Sequence, residues 1–323
     1  MDSSLSFLER QRSGPVYLDD AVIAGSLTVR AAVGSMKSVL ASGFDPESGA
    51  PRTRLETEGG TFMQMPAASG KFVGTKLLTI TPGNSATASP VIQGLYALFG
   101  GGDQRPLAVF DGVALTNLRT SSVSAMGATL LTSPGAKRLV VFGTGVQAWA
   151  HIVAFAELFD LTSVEIVGRN SDTANDLARD AQGIGVHATA AGPDAVKHAD
   201  LVVCATASST PLFDGTMVKP TAVVVAIGSH DGDHREIDDA LLSRATVCVE
   251  SRDSATREAG DVIQALESGA IADEAQLVTL ADLVMGRTEV PINRPAVFKT
   301  TGMPWEDLAV ATAVYEAFSS KVA

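Results

Sequence analysis

A glycine-rich turn in the middle of the chain has the composition of a dinucleotide-binding loop. It directly follows the apolar run Leu139–Phe142 and fits the pattern G-x-G-x-x-A. Gly143 permits a tight turn, Gly145 lets the backbone approach a pyrophosphate, and Ala148 allows a helix to pack closely on a strand. The first N–H groups of the following helix then face the phosphates. We expect these residues of the turn to contact a nicotinamide dinucleotide: Gly143, Thr144, Gly145, Val146 and Gln147.

The end of the next predicted strand carries an arginine where dinucleotide-binding units usually carry an acid. Val164–Val167 is followed by Gly168 and then by Arg169, Asn170 and Ser171. A carboxylate would repel a ribose 2′-phosphate, whereas a guanidinium can bind it in a fork. We therefore predict that NADPH is preferred over NADH and that residues 169–171 contact it. Ser171 is also predicted to cap the helix that follows.

Two later strand ends complete the predicted cofactor groove. In open α/β sheets, ligands bind beyond the carboxyl ends of the strands. The residues expected there are Thr206, Ala207, Ile227, Gly228 and Ser229.

The elements around these residues alternate between apolar strands and helices from about residue 139 to residue 249. This alternation predicts an α/β fold with a doubly wound, parallel Rossmann sheet. The first 117 residues are different. They begin with a helical pattern over Val16–Ser42 and continue with β-like segments separated by turns, which predicts an α+β domain. Asp111-Gly112 between two apolar runs predicts a hairpin.

We therefore predict two domains, with the Rossmann domain inserted into the α+β domain. The Rossmann domain is expected over residues 118–302. The other is expected over residues 1–117 and 303–323, because the helical pattern from Pro304 to Phe318 suits a helix that returns to it.

Composition narrows the function classes. The chain has 323 residues and a formal net charge of −12, without the basic stripe that a nucleic-acid-binding protein needs. No apolar stretch is long enough to span a bilayer. The segment MDSSLSFLERQR lacks the pattern of a secretory signal, so a cytoplasmic protein is expected. No spacing of metal ligands is present, and no metal is expected.

The order of these motifs resembles the ornithine cyclodeaminase/μ-crystallin family along nearly the whole chain. The matching segments are Pro51-Arg52-Thr53, Met65-Pro66-Ala67, Gly74-Thr75-Lys76-Leu77, Asp111-Gly112, Thr116-x-x-Arg119-Thr120, Gly143–Ala148, Arg235–Asp238, Glu258–Asp261, Phe298-Lys299-Thr300-x-Gly302 and Glu306-Asp307.

The resemblance implies a homodimer and a substrate that carries a carboxylate next to a carbon–nitrogen bond. Arg52, Lys76 and Arg119 fall on the family positions that hold this carboxylate, and Met65 falls in the same substrate-binding part. Cations of this kind suit a carboxylate because their hydrogen bonds to it are charge-assisted.

One departure from the family pattern distinguishes its branches. Ornithine cyclodeaminases carry a catalytic aspartate two residues after the glycine that corresponds to Gly228, and here that residue is His230. Together with Arg169, this resembles the reductase branch, which includes ketimine and Δ1-pyrroline-2-carboxylate reductases. Lys76, His230 and Asp233 are the candidate catalytic residues, and Glu258 is a further candidate proton donor. The alternative is a ketimine that arrives already protonated and needs no donor.

The resulting hypothesis is an NADPH-dependent oxidoreductase of amino-acid metabolism. It would reduce a small cyclic imino acid, Δ1-piperideine-2-carboxylate or Δ1-pyrroline-2-carboxylate, to L-pipecolate or L-proline. The alternatives are a dehydrogenase that uses an open-chain keto acid, of the alanine or N-alkylamino-acid type, and, with less support, ornithine cyclodeaminase. A non-catalytic NADPH-binding protein similar to μ-crystallin is the alternative from another class.

Overall fold

The computed structural model describes residues 14–87, 89–133 and 135–322. The segment on which the expected localisation depends lies outside these residues. The chain divides into two compact units. The first contains residues 1–28, 49–119 and 304–323, and the second contains residues 29–48 and 120–303.

The strands and helices are numbered in chain order. The strands are β1 Val16–Leu18, β2 Thr53–Thr57, β3 Gly60–Ser69, β4 Phe72–Ile80, β5 Ile92–Gly100, β6 Arg105–Asp111, β7 Arg138–Phe142, β8 Ser163–Val167, β9 Ala188–Ala190, β10 Leu201–Cys204, β11 Val223–Ala226, β12 Thr246–Val249, β13 Val278–Thr279 and β14 Ala296–Lys299. The α-helices are α1 Asp20–Ser26, α2 Val29–Ala41, α3 Gly112–Leu131, α4 Val146–Leu158, α5 Ser171–Gly183, α6 Asp239–Leu242, α7 Arg252–Glu258, α8 Gly260–Ser268, α9 Leu280–Val284 and α10 Pro304–Val322.

The first unit is built on one twisted sheet. Within its described residues the strand order is β1-β6-β5-β4-β3-β2. Strand β1 runs parallel to β6 and the other neighbours are antiparallel. Side chains alternate between the two faces of each strand. Helix α10 packs on β3, β4 and β5, so that one face of the sheet is buried. This is the α+β architecture that the sequence predicts.

The predicted hairpin at Asp111-Gly112 is wrong. Strand β6 ends at Asp111, and α3 begins at Gly112. The Asp111 carboxylate accepts hydrogen bonds from the N–H groups of Val113 and Ala114, both at 2.9 Å, and so caps the helix. A Cβ atom at residue 112 would lie 2.5 Å from the Gly94 backbone. Glycine is therefore needed at residue 112 because the backbone there lies close to β5, and not because the chain forms a two-residue turn.

The helical pattern predicted over Val16–Ser42 is only partly correct. The chain forms the short strand β1 and then two separate helices, α1 and α2. Helix α2 belongs to the second unit, although the predicted boundary places it in the first. The Glu157 carboxylate of α4 accepts hydrogen bonds from Val29 N and Arg30 N, at 3.2 and 2.8 Å, and so caps α2 from far along the sequence.

The second unit has a parallel sheet with the order β13-β12-β14-β11-β10-β7-β8-β9 among its described strands. The chain starts at β7, moves outward to β8 and β9, and returns to β10 on the other side of β7. This crossover confirms the doubly wound fold. Strand β14 inserts between β11 and β12, so that Lys299 at its carboxyl end lies beside Ala226 and Val249. Among the described residues, no helix is long and apolar enough to cross a membrane.

Candidate functional site

The turn after β7 has the backbone of a phosphate-binding loop. Gly143 has a φ of +118°. A Cβ atom there would lie 2.4 Å from the Ala205 carbonyl oxygen, so that only glycine fits. Gly145 precedes α4, and a Cβ atom there would meet nothing within 4 Å. No side chain caps this helix, so its first N–H groups keep their capacity to bind an anion.

A cavity of about 630 Å³ lies beside this turn, at the carboxyl ends of the strands around β7. Its lining residues are Phe142, Gly143, Thr144, Gly145, Val167, Gly168, Arg169, Asn170, Thr173, Ala191, Gly192, Pro193, Ala205, Thr206, Ala207, Ser208 and Leu212. The position matches the switch point where doubly wound sheets bind nucleotides. The open approach at Gly145 and the uncapped helix therefore fit a dinucleotide pyrophosphate.

The structure brings most of the predicted cofactor residues together at this cavity. Those in its lining are Gly143, Thr144, Gly145, Arg169, Asn170, Thr206 and Ala207. Those outside the lining are Val146, Gln147, Ser171, Ile227, Gly228 and Ser229. The segment Ala191–Pro193 was missed by the sequence analysis. The signal that could have found it is the short strand that the sequence pattern predicts over Val186–Thr189, because β9 neighbours β8 and both strands end at the same edge of the sheet.

Arg169 lies on the exposed rim of the cavity. Among the described residues it has no carboxylate partner, so its guanidinium is available for an anion. Asn170 and not Ser171 caps α5, because the Asn170 side chain accepts a hydrogen bond from Asp172 N at 2.8 Å. The predicted cap at Ser171 is therefore wrong by one residue.

A buried carboxylate joins the two strand ends at β10 and β11. Glu236 is fully buried. One of its oxygens accepts hydrogen bonds from Thr206 N and Thr206 Oγ1, each at 2.7 Å, and the other accepts one from Gly228 N at 2.7 Å. Burial raises the pKa of Glu236, and the nearby Lys299 ammonium opposes the shift. Glu236 thereby fixes the backbone on which one wall of the cavity rests.

Glu236 belongs to a cluster that we call the loop cluster: Glu236, Asp261 and Lys299. Asp261 accepts hydrogen bonds from Glu236 N and Ile237 N, at 2.7 and 3.0 Å. Lys299 donates to the carbonyl oxygens of Ala226 and Thr300, at 3.2 and 3.0 Å, and its Nζ lies 3.6 Å from Asp261. Most of these hydrogen bonds go to backbone atoms.

A second group of charges lies in the first unit, and we call it the clamp cluster: Arg52, Lys76, Arg119, Glu306 and Asp307. Lys76 Nζ lies 3.1 Å from one Asp307 oxygen and 3.0 Å from the other. Arg119 Nε donates to Asp307 at 3.0 Å, and Arg119 Nη1 lies 3.4 Å from Glu306. The pair Glu306-Asp307 carries part of the family resemblance, but no role for it was predicted from the sequence.

The sheet places Lys76 on the face that α10 buries. In the cross-strand register Met65 lies opposite Lys76, which lies opposite Tyr96. All three side chains are buried, with Lys76 only 2% exposed. Met65 and Lys76 therefore lie side by side on one face of the sheet, and their role in substrate binding stays a prediction.

The environment of Lys76 changes its acidity. Burial and the neighbouring Arg119 charge lower the pKa of Lys76 from 10.5 to about 8, with a smaller lowering from Arg52, while Asp307 opposes the shift. Arg52 is therefore close enough to act on Lys76 through its charge. The structure brings together the three cations that the family resemblance singles out.

The clamp cluster contains three cations and two carboxylates. The charges of Arg119 and Arg52 act on the buried Lys76, and so does the charge of Asp307. Guanidinium and ammonium groups form charge-assisted hydrogen bonds to carboxylates. The chemistry of the cluster therefore suits a ligand that carries a carboxylate.

Two of the remaining catalytic candidates, His230 and Asp233, lie in an exposed loop of the second unit, whereas Glu258 is buried at the end of α7. His230 is exposed, and its Nδ1 lies 3.0 Å from the Gly228 carbonyl oxygen. Asp233 is also exposed, and its N–H donates to the Asp231 carboxylate at 3.1 Å. Within the described residues, no group of acidic, histidine or cysteine side chains is arranged to hold a metal ion.

Comparison with known proteins assigns a family to this arrangement. The model of the ornithine cyclodeaminase/mu-crystallin family matches residues 27–322. The ketimine reductase mu-crystallin of Mus musculus is 37% identical over 246 residues, which is 76% of each chain. The Delta(1)-pyrroline-2-carboxylate reductase of Paracoccus denitrificans is 32% identical over 311 residues, which is 94% of this chain and 98% of that one.

Solved structures show the same fold. The Delta(1)-pyrroline-2-carboxylate reductase of Thermococcus litoralis, in complex with NADH and L-proline, superposes with a TM-score of 0.88. The superposition covers 95% of this chain and 98% of that one at 22% identity, so it supports the fold.

Proposed function

The chain belongs to the ornithine cyclodeaminase/mu-crystallin family, and on that premise we propose that it reduces cyclic ketimine acids, with NADPH as the preferred reductant. The family match and the reductases among its relatives make it an NAD(P)H-dependent oxidoreductase that acts on carbon–nitrogen bonds. The proposed substrates are Δ1-piperideine-2-carboxylate and Δ1-pyrroline-2-carboxylate, and the products are L-pipecolate and L-proline.

The observation that carries this proposal is the gathering of three cations in the clamp cluster, where the charges of Arg119 and Arg52 both act on the buried Lys76. Arg52, Lys76 and Arg119 would hold the substrate carboxylate through charge-assisted hydrogen bonds. Lys76 is almost fully buried, so its hydrogen bonds to a bound carboxylate would be poorly screened by water. A small ring with a carboxylate next to the imine carbon suits this chemistry, because the anion alone then fixes the position of that carbon.

The cofactor part of the proposal depends on the cavity of the second unit. When bound, the nicotinamide supplies the hydride that adds to the imine carbon. Thr206 and Ala207 line the cavity, and the Gly143–Gly145 turn would bind the pyrophosphate. Arg169 lies on the rim without a carboxylate partner in the described residues, so it would bind a 2′-phosphate and favour NADPH.

The imine nitrogen must carry a proton for its carbon to accept a hydride. Lys76 is our candidate for supplying that proton or for orienting the protonated imine, because its pKa of about 8 lies close to neutral pH. His230 and Asp233 remain candidates, but they lie in an exposed loop and Lys76 is buried. Lys76 therefore has the better environment for controlled proton transfer.

We also propose a homodimer that forms through the open face of the first unit's sheet. Five apolar side chains are exposed on the face opposite α10: Tyr17, Leu55, Phe62, Val73 and Leu95. Exposed apolar patches of this kind usually mark an interface. Size-exclusion chromatography with light scattering would test this proposal. A dimer supports it, and a monomer at micromolar concentration removes it.

The activity is tested by following the loss of NADPH absorbance with each cyclic imine acid. Parallel reactions replace NADPH with NADH, or replace the imine with pyruvate and either ammonia or methylamine. Rapid oxidation of NADPH by the cyclic imine, and slow oxidation of NADH, would support the proposal. Turnover of pyruvate with an amine, without turnover of the imine, would move the protein to the open-chain dehydrogenases. Cofactor binding without any turnover would instead support a binding protein.

A further inference from the structure

The carboxylate of Asp307 links the two buried cations of the clamp cluster. It lies 3.0 and 3.1 Å from Lys76 Nζ and 3.0 Å from Arg119 Nε. Asp307 is fully buried, so water does not screen these contacts. A buried carboxylate that bridges two cations fixes both side chains at once, because moving either one would leave a buried charge without its partner.

The sequence places this carboxylate in the first turn of α10. Glu306 and Asp307 follow Pro304, which begins the helix. Carboxylates are favoured in a first turn because they interact with the positive end of the helix dipole. Helix α10 packs on β3 and β4. Asp307 is thereby brought to Lys76 on β4 and to Arg119 on α3, both far away in sequence.

Glu306 serves as an internal comparison for Asp307. It is also fully buried and occupies the same helical turn. It approaches Arg119 Nη1 at 3.4 Å, whereas Asp307 is the carboxylate whose charge and hydrogen bond act on the pKa of Lys76. The two adjacent acids therefore differ in one respect that an experiment can use, since Asp307 contacts Lys76 directly.

The protonation of Lys76 depends on the charges that face it from each packed element. Arg119 on α3 and Arg52 before β2 favour the neutral amine, and so does burial, whereas Asp307 favours the ammonium. Tyr96 on β5 lies beside Lys76 in the sheet, and burial followed by the Asp307 charge raises its pKa well above 10, so it stays neutral. Among these neighbours, Asp307 is the group that opposes the loss of the Lys76 proton.

We propose that Asp307 is a positioning residue that keeps Lys76 in its ammonium form and holds Lys76 and Arg119 in one geometry for the substrate carboxylate. The inference deepens the proposed function and rests on it for the identity of the substrate. Asp307 itself need not contact the substrate. Its effect would pass through the charge and orientation of Lys76.

The test compares Asp307→Asn with Glu306→Gln as the matched control. Both variants remove one buried carboxylate from the same turn, and the first removes the carboxylate that contacts Lys76 Nζ and acts on its pKa. Without that charge the pKa of Lys76 should fall, so the alkaline limb of the kcat/KM profile for the cyclic imine acid should move to lower pH by about one unit. Glu306→Gln should move this limb by less than half as much. Equal shifts in the two variants, or no shift in Asp307→Asn, would overturn the proposal.

A direct titration makes the test independent of turnover. The Nζ signal of Lys76 can be followed by ¹⁵N NMR against pH in the full-length protein and assigned by its loss in Lys76→Arg. The titration midpoint should lie lower in Asp307→Asn than in the wild type. If this shift is seen but no imine is reduced, the proposed function fails and the role of Asp307 stands. If imine is reduced but the titration midpoint is unchanged, the proposed role of Asp307 fails and the proposed function stands.

A further variant covers the case in which Asp307→Asn does not fold. Asp307→Glu keeps the negative charge but lengthens the side chain by one methylene. It should keep the Lys76 midpoint close to the wild-type value while raising KM for the imine acid, because the geometry changes and the charge does not. A lower midpoint with an unchanged KM in this variant would also overturn the proposal.

Discussion

The clamp cluster and the loop cluster both bury charged side chains, but they use them differently. In the loop cluster, Glu236 and Asp261 accept hydrogen bonds mainly from backbone N–H groups, and Lys299 donates to backbone carbonyl oxygens. In the clamp cluster, Lys76 and Arg119 contact the side chains of Asp307 and Glu306. The charges of the loop cluster contact the main chain, whereas Lys76 and Arg119 contact carboxylate side chains.

This difference in hydrogen-bond partners suggests two different roles, namely support of a loop and recognition of a ligand. Charges that satisfy backbone groups hold loops in place, and removing them leaves buried N–H groups without partners. Cations gathered around a buried lysine suit the binding of an anionic ligand instead. The clamp cluster contains three cations and two acids, whereas the loop cluster contains two acids and one lysine. We therefore propose that the clamp cluster recognises the substrate and that the loop cluster supports the cofactor wall.

The largest expected effect comes from removing a clamp cation. Lys76→Met should lower kcat/KM for a cyclic imine acid roughly 10²- to 10³-fold, because it removes a charge-assisted hydrogen bond and leaves Asp307 with one cation fewer. The dissociation constant for NADPH, measured by fluorescence titration, should change less than about threefold, since Lys76 belongs to the first unit. Lys71→Met, which removes an exposed lysine just before the same strand, is the control. A comparable loss in this control would remove the special role of Lys76.

The next effect concerns cofactor choice. Arg169→Asp should weaken NADPH binding roughly 10- to 100-fold and leave NADH binding nearly unchanged, because the new carboxylate repels a 2′-phosphate. The measurement is the dissociation constant of each cofactor for the wild-type protein and for the variant. Arg179→Asp reverses the charge of an exposed arginine on α5 and should leave the ratio of the two constants unchanged. An unchanged ratio in Arg169→Asp as well would show that this arginine does not select the cofactor.

A smaller effect on catalysis, with a clear effect on stability, is expected in the loop cluster. Glu236→Gln replaces one accepting oxygen with an amide NH₂, which faces the N–H groups of Thr206 or Gly228. The free energy of unfolding should fall by about 2 kcal/mol, and NADPH binding should weaken a few-fold. Denaturant titration and fluorescence titration measure the two quantities. KM for the imine should stay close to the wild-type value. A large increase would show that the loop cluster also affects substrate binding, which would contradict the separate roles proposed for the two clusters. Glu267→Gln, on an exposed helix position, is the control.

The smallest effect is expected for the exposed loop. His230→Asn should change kcat by less than about twofold and leave the pH profile unaltered, because the buried Lys76 is our candidate for the acid. The alkaline limb should then lie near the Lys76 pKa of about 8 in both proteins, with activity falling above it as the ammonium is lost. An alkaline limb that moves or disappears in His230→Asn would instead assign the proton to the histidine.

Local patterns were enough to predict the second unit. The G-x-G-x-x-A turn and the alternation of apolar strands with helices both depend on neighbours along the chain, and the structure confirms the Rossmann fold. What could not be predicted depends on distant residues. Glu157 caps α2 from more than a hundred residues away, and Glu47 accepts a hydrogen bond from Arg252 N at 2.7 Å. No local pattern reveals such contacts.

The clamp shows the same limit. The three cations could be named only through the family resemblance, because their spacing along the chain has no period. Tertiary packing decides which residues lie opposite Lys76 in the sheet. It also brings Asp307 on α10 into contact with Lys76. At Asp111-Gly112 the dipeptide favours a turn, but a helix cap and a close approach to Gly94 decide the outcome.

We propose that the clamp cluster recognises a carboxylate next to the carbon–nitrogen bond. The rate of NADPH oxidation by the wild-type protein can be compared with Δ1-piperideine-2-carboxylate and with Δ1-piperideine, the same ring without the carboxylate. We expect rapid oxidation with the acid, and a kcat/KM lower by roughly 10³-fold or more for the plain imine. Equal turnover of the two rings would contradict it.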